Sequence, residues 1–207
     1  PPTAPARGHL YVIAAASGTG KTSLVKALMA GHPALGFSVS HTTRPRRVNE
    51  VDGSDYHFTD RETFQRMVAA GEFLEHASVF DNFYGTGRAG VEAALGAGRD
   101  LLLEIDWQGA AQVRARMPEA LDIFILPPSL AALRSRLENR KQDDPAVIER
   151  RLLAARSEIA HLSEFDYVII NDSFDDAVED LVSVVRSVRL RLTVQASLHA
   201  DLINSFK

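Results

Sequence analysis

Residues 15–22 read Ala-Ala-Ser-Gly-Thr-Gly-Lys-Thr, and chemistry first shows in this short run. Apart from Ala15, it follows the phosphate-cradling pattern of a glycine, four residues, then Gly-Lys-Ser/Thr. Ala16, Ser17, Gly18, Thr19, Gly20, Lys21, Thr22 and Ser23 therefore form a candidate nucleoside triphosphate loop. Gly18 and Gly20 permit dihedrals and close approach that a Cβ would block. Successive amides can then aim at phosphate oxygens from the positive end of a helix dipole. Lys21 supplies charge for the β- and γ-phosphates, and the Thr22 hydroxyl is placed for Mg²⁺. Ala15, in place of the first glycine, asks only that its position tolerate a methyl group. The loop implies a triphosphate but does not name an acceptor.

The elements around the loop must hold it. Residues 10–14 form an apolar run that reads as a buried strand, and 21–30 carry Leu24, Val25, Leu28 and Met29 at helical spacing. Further buried strands are expected at 37–40, 100–106, 121–126 and 166–170. Helices are expected at 61–70 with Asp60 as cap, 90–97, 110–117, 129–139, 145–162 and from 174 onward. Residues 72–80 look extended. Strands alternating with helices indicate an α/β fold with a parallel sheet. Segments 44–58 and 81–99 fit that alternation poorly and read as insertions that handle a substrate.

The chain has 207 residues, 45% hydrophobic and 24% charged, which is ordinary globular composition for one domain. It has no cysteine, so disulfides, thiolate metal sites and cysteine nucleophiles are excluded. A net charge of −4 speaks against a nucleic-acid partner. No apolar stretch nears the roughly 18 residues of a membrane span, and the first eight residues lack the apolar core of a signal peptide.

The segments after the loop carry a family likeness. Ser38-Val39-Ser40-His41-Thr42-Thr43-Arg44-Pro45-Arg46-Arg47 is followed by Glu50-Val51-Asp52-Gly53-Ser54-Asp55-Tyr56-His57-Phe58. Then come Gly71-Glu72-Phe73-Leu74-Glu75, Asn82-Phe83-Tyr84-Gly85-Thr86 and Leu103-Glu104-Ile105-Asp106-Trp107-Gln108-Gly109. In this order the chain closely resembles the guanylate kinase family, bacterial type, over about residues 8–190. The resemblance implies the P-loop nucleoside monophosphate kinase fold, a parallel-sheet core with inserted GMP-binding and lid segments. It divides a single domain, 8–207, into a core (about 8–37, 99–134 and 157–190), a GMP-binding segment (38–98), a lid (135–156) and a C-terminal helix (174–206). Residues 1–7 read as a loose leader. It also implies transfer of a phosphoryl group from ATP, with Mg²⁺, to GMP in the cytoplasm.

By resemblance, Ser40, Arg44, Arg47, Glu50, Tyr56, Glu75, Tyr84, Thr86, Glu104, Asp106 and Gly109 belong to the GMP side. The chemistry of these side chains agrees. Arginine forks and rigid tyrosine hydroxyls suit a phosphate dianion. A carboxylate such as Glu75 can accept from guanine N1–H and N2–H₂ together, whereas adenine offers a lone pair at N1 and is repelled. Ser40 and Thr86 hydroxyls can complete the base contacts. Glu104 and Asp106 end a buried strand, where one would order Mg²⁺-bound water and the other face guanine; the sequence leaves the two roles unassigned. Trp107 reads as packing.

Arg136, Arg140, Arg150, Arg151 and Arg156 follow Pro127-Pro128. Arginines on a closing segment can reach a transferring phosphate and exclude water. By resemblance Arg136, Arg140 and Arg151 join Lys21 and Arg44 as catalytic, and Asn171 takes the adenine side. Lys141 stands where the family commonly has glycine, which bears on lid motion. Two other readings use the same residues: a scaffold domain that binds phosphopeptides without turnover, and a kinase for another small phosphorylated acceptor such as AMP. Segment 189–206 extends past the matched core and is a candidate surface for a homo-oligomer. Lys21→Ala is expected to abolish turnover in a coupled ADP assay while leaving the circular dichroism spectrum intact, because it removes phosphate charge compensation.

Overall fold

A computed structural model describes residues 7–79, 81–139 and 144–206. The chain begins with β1 (Leu10–Ala15), α1 (Lys21–Gly31), β2 (Gly36–Phe37), β3 (His41–Thr42) and β4 (His57–Phe58). It continues through α2 (Arg61–Ala69), β5 (Phe73–Val79), β6 (Asn82–Gly87), α3 (Arg88–Gly96) and β7 (Leu101–Glu104). Then follow α4 (Trp107–Arg116), β8 (Leu121–Leu126), α5 (Leu130–Asn139), α6 (Pro145–Ile159) and a 3-10 turn at Leu162–Glu164. The last elements are β9 (Tyr167–Ile170), α7 (Phe174–Arg189), α8 (Leu192–Leu198) and α9 (Ala200–Asn204).

The core sheet has the order β2-β7-β1-β8-β9, with every pair parallel. Both faces of its central strands are covered, which is why those strands are continuous apolar runs, while Val168 and Ile170 on the edge strand β9 stay exposed. Tyr11 and Ile13 of β1 point into one cluster with Leu24 and Leu28 of α1 and Leu181 and Val185 of α7. Leu10 and Val12 point into the other, with Val91 and Leu95 of α3 and Val113 of α4. α7 shows how local signals agree with packing. Ser173 accepts from the Asp176 amide as its N-cap, Asp175 and Asp176 sit in the first turn, and Arg186 and Arg189 in the last.

A second, four-stranded sheet of order β4-β3-β6-β5 is not hydrogen-bonded to the first, and its β5 packs Leu74 into the same apolar cluster as Leu10 and Val12. Segments 44–58 and 81–99, which break the alternation in the sequence, contribute β4 and β6 to it, while α3 of the second segment covers the core sheet instead. Phe64 of α2 stacks on Phe73 and Phe83 beneath the second sheet. A third small cluster joins α5 and α6 to the phosphate loop, through Leu133, Leu137, Ile148, Leu152 and Ala155 around Ala16.

Three expectations need correction. The strand at 37–40 ends at Phe37; Ser38 still donates to the Leu102 carbonyl, and the chain then crosses to the second sheet, where His41 and Thr42 pair with Gly85 and Tyr84. The helix expected at 110–117 starts at Trp107, because the Asp106 carboxylate caps it through the Gly109 amide. The single C-terminal helix of 174–206 is three: α7 ends at Arg189, and α8 and α9 follow with few buried side chains of their own. Among the described residues no helix is long and apolar enough to cross a membrane. Leu181→Ala should cost about 2–5 kcal/mol, because Leu181 is fully buried between α7 and the sheet. A urea unfolding curve with an unchanged midpoint would contradict that packing.

Candidate nucleotide site

The phosphate loop leaves the carboxyl end of β1, the strand at the centre of the sheet, where open α/β sheets place ligands. Ala15 is still paired with Ile125 in the sheet, so its methyl group is accommodated as strand packing. Gly18 and Gly20 have φ of 92° and 93°, the left-handed region. A Cβ on Gly20 would lie 2.7 Å from Asn171 Nδ2. That amide donates instead to the Thr19 carbonyl at 2.6 Å and pins the loop to the end of β9. Lys21 Nζ donates to the Ile105 carbonyl at 2.7 Å, and Thr22 Oγ1 donates to Glu104 Oε1 at 2.5 Å.

Three cavities meet here. One, of about 180 Å³, is lined by Lys21, Ser40, Tyr56, Glu75, Tyr84, Glu104 and Asp106 among others. A second, of about 280 Å³, wraps residues 15–23 with Val79, Asp106 and Glu158. The third, of about 420 Å³, holds Arg136, Asn139, Asn171 and Phe174 on the far side of Gly18, Thr19 and Gly20. Lys21, Val79 and Asp106 line both the first and the second, so those two cavities join at these three residues.

Glu75 is the most unusual group in the first cavity. It is 2% exposed, and burial pushes its carboxyl up to about 7 despite the Thr86 hydroxyl that donates to it at 2.5 Å. It presses on Gly109 so closely that a Cβ there would lie 2.4 Å from Glu75 Oε2. Tyr56 and Tyr84 meet edge to face at 6.0 Å, and burial pushes the Tyr56 hydroxyl up to about 12. The Arg44 guanidinium sits 5.4 Å from the Tyr56 ring centre and is held by Glu50 at 2.6 Å. Glu50 also accepts from the Arg47 amide, and these partners, Arg44 first, hold its carboxyl below the usual range.

This pairing of a phosphate loop with a walled-in carboxylate has relatives. The family described as guanylate kinase matches residues 7–188. The chain belongs to the guanylate kinase family. A guanylate kinase of Thiobacillus denitrificans is 56% identical over 207 residues, covering 100% of this chain and 98% of the relative. One from Hahella chejuensis is 58% identical over 190 residues, covering 92% and 91%. The crystal structure of guanylate kinase from Anaplasma phagocytophilum superposes with a TM-score of 0.76 at 34% identity, covering 91% of this chain and 89% of that one.

The fold thus gathers Ser40, Tyr56, Glu75, Tyr84, Glu104 and Asp106 around one cavity, with Thr86 and Gly109 directly behind Glu75. Arg44 flanks the tyrosines, while the Arg47 side chain is 74% exposed at the outer edge. Glu50 faces the two arginines and not the cavity, so it positions them. The Arg136 guanidinium donates to the Asn171 and Thr19 carbonyls and lines the third cavity. Arg151 lies on α6, and Arg140 with Lys141 lies outside the described residues. Arg150 reaches across to Asp81 at the tip of the second sheet, 3.9 Å away. Trp107 packs as expected, stacked on His161 at 3.6 Å.

Sequence reasoning missed Glu158, whose carboxylate enters the phosphate-loop cavity. The available signal was its spacing: seven positions after Arg151 brings it to the same face of α6. Gly109→Ala should raise the KM for GMP by about tenfold or more, since the new methyl group must displace the Glu75 carboxylate. An unchanged KM would show that Glu75 does not hold the acceptor base.

Proposed function

We propose that this protein transfers the γ-phosphoryl group of MgATP to GMP or dGMP, giving ADP and GDP (or dGDP), in purine nucleotide metabolism. The observation that carries the acceptor assignment is the buried Glu75 carboxylate in a cavity that opens onto the phosphate loop. A guanine edge offers two donors to it, and Thr86 already fixes its other side. Each hydrogen bond to a charged acceptor contributes about 1.5–3 kcal/mol, and a site of this kind rejects a base that leaves the carboxylate unpaired.

In this reading Ser40 and Thr86 complete the base contacts, and Arg44, Arg47, Tyr56 and Tyr84 hold the acceptor phosphate, with Glu50 orienting both arginines. Asp106 faces the acceptor while capping α4. Asn171 and Arg136 flank the adenine. The amides of residues 16–23 and Lys21 cradle the triphosphate. An oxygen of the GMP phosphate attacks the γ-phosphorus in line; that P–O bond forms as the bond to the ADP β-phosphate oxygen breaks, and the electron pair leaves with ADP. The acceptor oxygen is already anionic, so no general base is needed. Lys21, Arg140 and Arg151 spread the charge of the transition state.

Thr22 and Glu104 offer hard oxygen ligands beside the loop, a donor set that fits Mg²⁺ or its bound water. Bound there, the ion would neutralise β- and γ-phosphate charge. The core, the GMP-binding segment 38–98 and the lid 135–156 are the three parts that close on the substrates. The cytoplasm, where both nucleotides are at hand, is the assigned setting.

An assay of ADP formation from MgATP, with GMP, AMP, CMP and UMP each offered as acceptor, tests the reading. Turnover with GMP above the others is expected; GMP binding without turnover would favour a binding module. Glu75→Ala should lower kcat/KM for GMP by about 10²- to 10³-fold and erode the preference over AMP. The acceptor should also show a pH dependence of definite sign. Guanine donors favour the ionised carboxylate, so affinity for GMP is full above about 7 and declines as pH falls through it. A KM for GMP that is flat between pH 6 and 8 would remove Glu75 from the base site.

A further inference from the structure

Glu158 lies in the last turn of α6, and its Oε2 accepts from the Ser17 amide at 3.3 Å. Ser17 belongs to the loop whose amides are arranged to receive phosphate oxygens, so a carboxylate already fills an anion position in the nest. The charged groups that face it are Lys21 from α1 and Asp106 at the start of α4. Burial, reinforced by Asp106, pushes the Glu158 carboxyl up to about 7, against the pull of the Ser17 amide and Lys21. Arg151 is seven positions earlier on the same helix, roughly 20° short of two full turns. One face of α6 therefore carries an arginine and an anion. Ile148, Leu152 and Ala155 pack that helix on Ala16.

We propose that Glu158 is an internal stand-in for a nucleotide phosphate, whose carboxylate occupies the phosphate loop and takes up a proton from solvent when the triphosphate arrives. The inference rests on the reading of residues 15–23 as the ATP loop. Two like charges cannot share one nest without cost, so the incoming phosphates favour the protonated acid. The neutral acid no longer competes for the Ser17 amide, and α6 with Arg151 is released to settle around the bound nucleotide. Glu158 is a positioning residue in this scheme; it forms no bond with substrate.

The test is calorimetric titration with MgATP alone, no acceptor present, in two buffers of different ionisation enthalpy, for the wild type and Glu158→Gln. The wild type should take up a fraction of a proton per nucleotide at pH 7.5 beyond that of the variant. The variant should bind MgATP about tenfold more tightly at pH 8, with the difference gone near pH 6, where Glu158 is already protonated. Should Glu158→Gln not fold, as judged by its melting curve, Glu158→Ala serves the same comparison. Equal proton counts together with a pH-independent affinity ratio would overturn the proposal while leaving the kinase reading intact. Failure of the folded wild type to bind MgATP at all would overturn that reading, and this inference with it.

Discussion

A parallel strand with an apolar side chain at every position must be covered on both faces, and β1 is such a strand. Burying Leu10, Val12, Tyr11 and Ile13 requires α1 and α7 on one side and α3 and α4 on the other. Once those layers are in place, the carboxyl end of β1 is fixed and the phosphate loop has nowhere else to go. Its amides then present partial positive charge at one rigid point. Every other functional group in the molecule is arranged with respect to that point.

Burial also sets the chemistry of the acids around the loop. Glu75 and Glu158 are both withdrawn from water, and both are pushed up to about 7 mainly by that withdrawal. Their surroundings differ in what they offer a ligand. Glu75 opens onto the cavity shared with Ser40, Tyr56 and Tyr84, whereas Glu158 faces the amides of the glycine-rich loop. Glu104 and Asp106 divide the work the strand end offers: one bonds the Thr22 hydroxyl and the other caps α4 while lining both cavities. Glu50 spends its charge on Arg44 and Arg47, keeping two like-charged forks in one place without a bound anion.

The second sheet has its own aromatic stack of Phe64, Phe73 and Phe83, and it meets the central core along β5, where Leu74 joins the cluster of Leu10 and Val12 and Gln112 of α4 bonds the His76 backbone. α5 and α6 touch the core mainly through a small apolar cluster at Ala16. Between α6 and the tip of the second sheet, the exposed pair Arg150 and Asp81 at 3.9 Å is a weak interaction of about 0–1 kcal/mol.

Much of this was legible in the chain alone. Apolar runs at 10–14, 121–126 and 166–170 had to be core strands, since their length and continuity suit nothing else, and Gly18-Thr19-Gly20-Lys21-Thr22 had to be a phosphate loop, since its chemistry is local. The set around Glu75 was legible through the family resemblance that the order of segments 38–58, 71–75, 82–86 and 103–109 carries, and the donors and acceptors of its side chains agree with it. What the sequence did not determine was direction and partnership. Glu104 and Asp106 are two residues apart, and only the turn into α4 separates their roles. That Arg136 donates to the Asn171 and Thr19 carbonyls is not written in its own stretch of chain. Glu158 looks like an ordinary helix-surface acid until α6 is laid against Ser17. These roles depend on contacts between segments more than 30 residues apart or on the turn of a helix onto its neighbour. Tertiary packing decides such contacts, because burial and pairing change a side chain's charge and reach in ways its own neighbours in the chain do not encode.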